Sequence, residues 1–472
     1  PGNSGSATAA TGFNVANSGR FNDASPDILK NGTESDGNRK VWTISMWIKR
    51  SKLGVRQSLW SWGSNSSSTG EIYIDANDFL VLNNDNQQGS SNEVAGQLLD
   101  VSAWYHIVWR CDVTETNNID RWRCYINGVQ RTLTDAATVS NADGEINKNG
   151  THQNWIGGAA RSLQSGNPIY PFGGYIAEAI FVDGTALAPT SFGEFSDDGI
   201  WKPIEIDLTF GDEGVYLNFE NAAELGTDVS GNGNTYAETG LTAANQSIDT
   251  CTNNFNTLNP LTKRPTANGT IAEGNLQYTA STGDSSIFGT MAIPPGMKVY
   301  FEVKLVSNTA QNSIGIHSLY DGGDGAFVKG GSETGTYSFK PRGSGSVTQY
   351  FNNGSSTDTS IDNPANNTIL GVAINNNNGQ IHYHIAGTYI NSSDPTDNDP
   401  VALVTGFGGA SEQYLHFSLD TTTTQPSNQF NFGSPPYSES GGNSDGNGYG
   451  NFNQAVPSGY YALNTKNLAE YG

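Results

Sequence analysis

Residues 43–49 read Thr-Ile-Ser-Met-Trp-Ile-Lys and alternate, with Ile44, Met46 and Ile48 on one side and Ser45, Trp47 and Lys49 on the other. A period of two is the spacing of an extended strand, whose successive side chains point to opposite faces; Trp47 makes the second face partly bulky. Similar short runs recur at 57–62, 71–75, 79–82, 104–113, 121–127 and 175–182, and later at 215–219, 299–306, 313–317, 335–339, 369–375, 380–385, 414–419 and 429–432. Gly and Asn clusters separate them, and Asn127-Gly128 closes one with the dipeptide favoured in type I′ turns. No window carries a helical period of comparable strength. The best short helical piece is a single turn at 189–195, where Thr190 or Ser191 is placed to cap it.

Only 35% of the 472 residues are hydrophobic and 15% are charged, a polarity that disordered chains also show. Disorder lacks aromatic residues, whereas this chain spreads 9 Trp, 20 Tyr and 20 Phe along its length. The expected fold is therefore all-β, with two antiparallel jelly-roll β-sandwich domains joined by a loop-rich connector. The boundaries fall at 1–203 for the first sandwich, 204–264 for the connector, 265–436 for the second sandwich, and 437–472 for a flexible Gly/Ser/Asn-rich linker and tail.

A net charge of −23, from 46 acidic and 23 basic residues without a basic cluster, argues against nucleic acid as a partner. No stretch of about 20 apolar residues is present to insert in a membrane. Pro1 opens the chain without a basic-then-apolar leader, which fits a processed leader, an incomplete sequence or release by lysis. Three cysteines do not make a disulfide framework. Cys111 and Cys124 are a disulfide candidate: a hairpin centred on Asn117 and Asn118 would set them directly opposite one another. The alternative is two small buried apolar side chains.

Several stretches resemble known families. Val41-Trp-Thr-Ile-Ser-Met-Trp-Ile48, Ala103-Trp-Tyr-His-Ile-Val-Trp109 and Arg123-Cys-Tyr-Ile-Asn-Gly128 resemble three core strands of laminin-G-like, concanavalin-type jelly rolls, over about residues 12–200. Val299-Tyr-Phe-Glu-Val303, Ile314-Gly-Ile316, Thr336-Tyr-Ser-Phe339, Ile369-Leu-Gly-Val-Ala-Ile-Asn375 and Phe430-Asn-Phe-Gly433 resemble SPRY (B30.2-like) strands, with Asn375 where that family has Asp. Three further pieces are similar to structural proteins of tailed bacteriophages: Ala177-Glu-Ala-Ile-Phe-Val-Asp-Gly184 with Phe192-Gly193; Asp228-Val-Ser-Gly-Asn-Gly-Asn234 with Asn253-Asn-Phe-Asn-Thr-Leu-Asn-Pro-Leu261; and Gly459-Tyr-Tyr-Ala-Leu-Asn-Thr-Lys-Asn-Leu468. That likeness implies a virion component.

Some concanavalin-type sandwiches are glucanases, which align carboxylates along one strand so that two stand about 5 Å apart for retaining chemistry. Here Glu71 and Asp75 share a strand face without a third carboxylate, and Glu178 and Asp183 fall on opposite faces. No Gly-x-Ser-x-Gly elbow is present. His382 and His384 share a strand face without a visible third ligand, so two ordinary strand histidines are the simpler reading. Calcium is the one cofactor the sequence suggests: Asp228, Asn232 and Asn234 offer oxygens within a Gly-containing loop, although Thr239 stands where an EF-hand would have Glu, and a plain Asn/Gly turn explains them as well. Asp321 and Asp324 form a similar weaker group. For glycan binding, aromatic faces would cover sugar C–H surfaces, with Trp60, Trp62, Trp155 and Tyr170 the candidates in the first domain and Tyr350 and Phe351 in the second. Most such aromatics are core.

Together these readings predict a non-enzymatic virion surface protein, a fibre or appendage whose lectin-like sandwiches present loops to a host-surface glycan or to other virion subunits. A capsid decoration or head-fibre protein is the close variant, and a secreted carbohydrate-binding adhesin the alternative. Fibres are commonly homo-oligomers, but no heptad or triple-β repeat occurs here.

Overall fold

The computed structural model describes residues 12–24, 27–32, 37–65, 68–84, 91–134, 139–141, 146, 153–159, 169–263, 269–281, 283–309, 311–318, 334–342, 347–397, 402–408, 411–421, 425–438 and 441–472. Strand makes up 46% of the described residues and helix 6%, so the fold is all-β. Every ladder between strands among the described residues is antiparallel. Two compact units divide between Thr252 and Asn253.

In the first unit one sheet runs, in spatial order, Val129–Arg131, Trp122–Ile126, Trp104–Asp112, Val41–Arg50, Gly174–Asp183, Ser18–Phe21 and Gln246–Ser247, with Val215–Leu217 also on Gly174–Asp183. The facing sheet runs Ala237–Thr239, Ile28–Lys30, Gln153–Ile156, Gln57–Asn65, Ser68–Ile74, Phe79–Asn84 and Ser91–Gln97. Ile44, Met46 and Ile48 line the core between the sheets, as their alternation predicts. The opposite side of the same strand is also buried, with Trp47 4% and Lys49 1% exposed.

The cover for that outer face is the chain's own following segment. Trp201 packs with Val15, Trp47, Trp104, Tyr175 and Ala177, and Phe192 and Phe210 pack with Val108, Ile180 and Val182. The stretch 204–264, set apart in sequence as a connector, therefore does not stand alone. Up to Thr252 it belongs to the first unit and adds strands to both sheets. Its strands are two or three residues long and separated by Gly and Asn, too short to show a period of two.

Buried polar groups pin this cover. Asp249 Oδ2 accepts from Lys49 Nζ at 2.7 Å and its Oδ1 from Trp104 Nε1 at 3.1 Å. His106 lies between the rings of Trp47 and Trp201, at centroid distances of 4.7 and 5.9 Å. Trp201 Nε1 donates to His106 Nδ1, so the imidazole proton sits on Nε2 and is donated to Ser45 Oγ. Burial pushes His106 down to about 3, which keeps it neutral. Asn127 and Gly128 form the expected turn with φ of 50° and 76°, and a Cβ at Gly128 would come within 2.3 Å of the Trp201 ring. At 189–195 the helical piece is a 3-10 turn over Pro189–Ser191 that follows Ala188, and neither Thr190 nor Ser191 caps it.

The expected pairing of Cys111 with Cys124 is not formed. A helical turn at Asn118–Arg121 takes up part of the loop and shifts the hairpin, so that Cys111 faces Trp122 and Cys124 faces Trp109. Both thiols are free, buried in the core and pushed up by that burial; Cys251 is also free and pushed up by desolvation, but is only partly buried.

In the second unit one sheet runs Thr270–Ala272, Gln277–Thr279, Ser427–Asn431, Lys298–Ser307, Thr368–Asn375, Gln380–Ile385 and Thr388–Tyr389, with Val404–Thr405 also on Gln380–Ile385. The other runs Gly283–Ile293, Gln413–Thr421, Gln311–His317, Thr336–Arg342, Gln349–Asn352 and Ser355–Asp358. Of residues 437–472, expected as a flexible linker and tail, 441–472 pack as part of this unit. Glu302, fully buried on the side of its strand away from the core, accepts from the backbone N–H groups of Asn453 and Gln454 and from Asn431 Nδ2 and Tyr300 Oη. Asp445 accepts from the N–H groups of Asn447, Tyr449 and Ala462 and from Asn467 Nδ2. Asn464 caps a helix at Thr465–Tyr471, and Phe255 bridges Asn464. Gly and Asn here provide turns and hydrogen bonds, where composition alone suggests slack chain.

Glu178 occupies a bulge in Gly174–Asp183 with φ of 49°. It accepts from Tyr216 Oη at 2.5 Å, and burial raises its carboxyl to about 7. The unfolded value is about 4.3, so the unfolded state releases this proton first and stability drains away as pH rises from about 4.3 through the folded value. Calorimetry of parent and Glu178→Gln at pH 5 and pH 8 checks this. The melting temperature of the variant relative to the parent is expected to rise by roughly 5 °C between the two pH values, whereas an unchanged difference would contradict it. For the cysteines, alkylation in denaturant without reductant is expected to label three thiols; labelling of one would restore the disulfide.

Candidate ligand-binding face

On the seven-stranded sheet of the first unit, Leu29, Ile156, Trp60, Trp62, Ile72 and Leu82 point into the core. The intervening residues point the other way, and the register lines them up: Lys30 faces Trp155, Trp155 faces Ser61, Ser61 faces Glu71, and Glu71 faces Asn83. Directly opposed residues share a face, and strands lie about 4.8 Å apart, so this rank of five spans roughly 19 Å.

Arg56, just before Gln57–Asn65, reaches into the rank. Its guanidinium lies over the Tyr73 ring at 3.9 Å and the Tyr170 ring at 4.5 Å, while Nη2 donates to Glu71 Oε2 at 2.5 Å. Glu71 is 4% exposed, a burial that a carboxylate tolerates when a cation neutralises it. Arg56 Nε is buried and makes no hydrogen bond. The rim is open: the Arg56 side chain is 23% exposed and Tyr170 39%. Tyr170 has φ of 56°, a left-handed conformation uncommon for a bulky residue, and its carbonyl accepts from Ser58 N. Lys30 Nζ lies 4.9 Å from the Trp155 ring. Backbone conformations of this kind concentrate at ligand clamps and active sites.

Of the aromatic candidates, Trp155 and Tyr170 thus fall on this face, Trp155 beneath Lys30 and nearly buried, Tyr170 exposed. Trp60 and Trp62 do not. A bulge between Ser58 and Trp60 turns Leu59, Trp60 and Trp62 all into the core, where Trp60 Nε1 donates to Asn154 Oδ1 and Trp62 meets Trp42 edge-on. Tyr350 and Phe351 are successive strand residues: Tyr350 packs against the second core, and Phe351, nearly buried, lies under Lys340 Nζ, so they make no joint platform. Arg56, Tyr73 and Lys30 were missed. Glu71-Ile-Tyr-Ile74 does alternate, which places Glu71 and Tyr73 together, but the stacking of Arg56 on them depends on strand register.

The calcium candidates form a closed turn. Asp228 accepts from the N–H groups of Tyr216, Ser230 and Asn234 and from Ser230 Oγ, while the amide nitrogens of Asn232 and Asn234 both donate to the Gly214 carbonyl. Asp321 and Asp324 lie outside the described residues. Among the described residues, no group of three or more His, Cys, Asp or Glu side chains is placed to hold a metal ion. His384 accepts from Gly387 N at Nδ1, which leaves the Nε2 proton for Tyr300 Oη; burial pushes it down to about 4. His382 is buried on the same strand. Asp75 accepts from Asn77 N and Phe79 N at a turn, and Asp183 from Asn38 N, so Glu71 and Glu178 are not joined by the carboxylates with which sequence paired them. No described helix is long and apolar enough to cross a membrane.

The family model described as "Concanavalin A-like lectin/glucanases superfamily" matches residues 28–189, which contain every residue of the rank and of the Arg56 cluster. No curated protein matches the chain. Among solved structures, a Bacteroides ovatus protein proposed to bind carbohydrate is similar at 14% identity and a TM-score of 0.35, covering 49% of this chain; the chain spans 60% of that protein's length. A heptameric SAP-like pentraxin from Limulus polyphemus is similar at 13% identity and a TM-score of 0.29, over 37% of this chain and 80% of the other. The SPRY domain of human HERC1 is similar at 9% identity and a TM-score of 0.26, over 37% of this chain and 96% of the other. Residues 28–189, within the first unit, thus carry the likeness to concanavalin-type lectins and glucanases, and SPRY domains are among the structures to which the chain is similar.

Proposed function

We propose that this chain is a non-catalytic binding protein that recognises saccharide at the Arg56–Tyr73–Tyr170 rim of the seven-stranded sheet, and that it is displayed on the surface of a tailed-phage particle. The observation that carries the saccharide reading is the cluster itself: an exposed tyrosine ring 4.5 Å from a cation that is oriented by a buried carboxylate. Aromatic faces cover sugar C–H surfaces, and the guanidinium pairs with sugar oxygens. The match of residues 28–189 to a family of lectins and glucanases supports the same ligand class.

Within that family the geometry favours binding over hydrolysis. Hydrolysis uses an acid and a second carboxylate across the scissile bond, whereas Glu71 is engaged by Arg56 and Asp75 is occupied at its turn. The particle location rests on the three phage-like segments. Two of them, 253–261 and 459–468, hydrogen-bond to each other within the second unit, through Asn254 with Thr465 and Asn256 with Leu463. A fibre or appendage role fits a ligand-binding first unit, and a head-fibre or decoration role is the variant.

A glycan array probed with the intact protein is the test of the binding reading. Tyr170→Ala is expected to weaken the captured ligand about tenfold, roughly 1.4 kcal/mol, with melting temperature little changed. Binding to no array member would overturn it. Immunogold labelling of purified particles tests the location: gold on tail or capsid is expected, and protein found only in culture fluid would replace the virion reading with that of a secreted adhesin.

A further inference from the structure

We infer that the saccharide bound at this rim carries a carboxylate, as a uronic or sialic acid does, and that Arg56 is the residue that reads it. The inference rests on the binding reading above and adds the ligand's charge. Its basis is the state of the Arg56 guanidinium. Three contacts hold it: the Tyr73 ring at 3.9 Å, the Tyr170 ring at 4.5 Å, and Glu71 at Nη2. Guanidinium carries five N–H donors in a planar fork; the hydrogen bond to Glu71 uses one and leaves the others without a protein partner, on a side chain that is 23% exposed. An edge of that shape matches a carboxylate bidentately, and the stacking rings have already removed the rotamer freedom that binding would otherwise cost.

The surroundings agree with this assignment. In a chain with 46 acidic and 23 basic residues, the face carries two cations laid against aromatic rings, Arg56 and Lys30. Glu71 neutralises one of them, so the rank retains a positive charge at Lys30. Neutral sugars need neither cation. A lectin for neutral glycans would be served better by amide side chains, which donate and accept at hydroxyl groups. Tyr170, exposed beside the fork, would cover the sugar ring whose carboxylate sits on Arg56.

The test uses the intact protein on an array in which each uronic- or sialic-acid structure is paired with its neutral, carboxyl-reduced counterpart. Binding to one or more acidic members, lost at least tenfold on carboxyl reduction, is expected. Arg56→Lys keeps a charge for Glu71 but loses the planar fork, and should also lose at least tenfold. Tyr170→Ala leaves the ion pair intact and separates loss of binding from loss of fold, which melting curves check for both variants. Equal binding of acidic and reduced members with Arg56→Lys unaffected would overturn the carboxylate inference while leaving saccharide binding standing. Binding to neither class would overturn both.

Discussion

Central strands in both units are apolar on two sides, and everything else in the architecture follows from covering the second side. A sandwich buries one face of each sheet. Trp47, Ala177 and Ile180 in the first unit and Tyr300 in the second stand on the face left over. Leaving a bulky apolar strip in water forfeits about 25 cal/mol per Å². The chain covers it with segments almost devoid of regular structure, and irregular backbone brings unpaired N–H and C=O groups into a dry place. Buried acids meet that cost. Asp249, Glu302 and Asp445 each accept several hydrogen bonds, from the cover itself or from the sheet beneath it. In the first unit His106 has the same task, neutral and clamped between Trp47 and Trp201.

This arrangement bears on where a ligand can be read. In the first unit the outer face of the eight-stranded sheet is occupied by the chain's own residues 192–252; on the seven-stranded sheet Ser61, Glu71, Trp155 and Tyr73 are buried as well, so the proposed site is confined to the rim at Arg56 and Tyr170. There the polarity differs: cations lie on aromatic rings, and a buried carboxylate orients one of them. The Arg56 cluster is arranged before any ligand arrives, which lowers the ordering cost of binding a strongly hydrated ligand such as the proposed sugar. The Trp-x-His of the laminin-G-like motif serves a different purpose from recognition, since Trp104 and His106 both hold the cover in place.

Long strands were legible because alternation is a local property. Residues 43–49, 104–113 and 369–375 could be assigned from their own side chains, and the Asn127-Gly128 turn from its dipeptide. In segment 204–252 only the run at 215–219 was legible; the other strands are too short to alternate and owe their place to partners elsewhere in the chain. The helix at Thr465–Tyr471 spans barely two turns, and its polar residues Asn464 and Asn467 are buried by tertiary contacts that no periodicity announces. At the site, Tyr170 and Trp155 could be picked as aromatics, but Trp60 and Trp62 could not be told from them until the bulge after Ser58 was seen. The disulfide expectation failed on a shift of register, the quantity that sequence specifies least well when a loop can take up residues as a helical turn.

The covering segments belong to the cores they cover and are not linkers laid upon them. Native-state hydrogen exchange at increasing denaturant measures this directly, amide by amide. Val215–Leu217 is expected to exchange only with the global unfolding that also exposes Val41–Arg50, and residues 461–468 only with Lys298–Ser307. Exchange of either segment at far lower denaturant than its sheet would show a detachable cover, and would contradict the account.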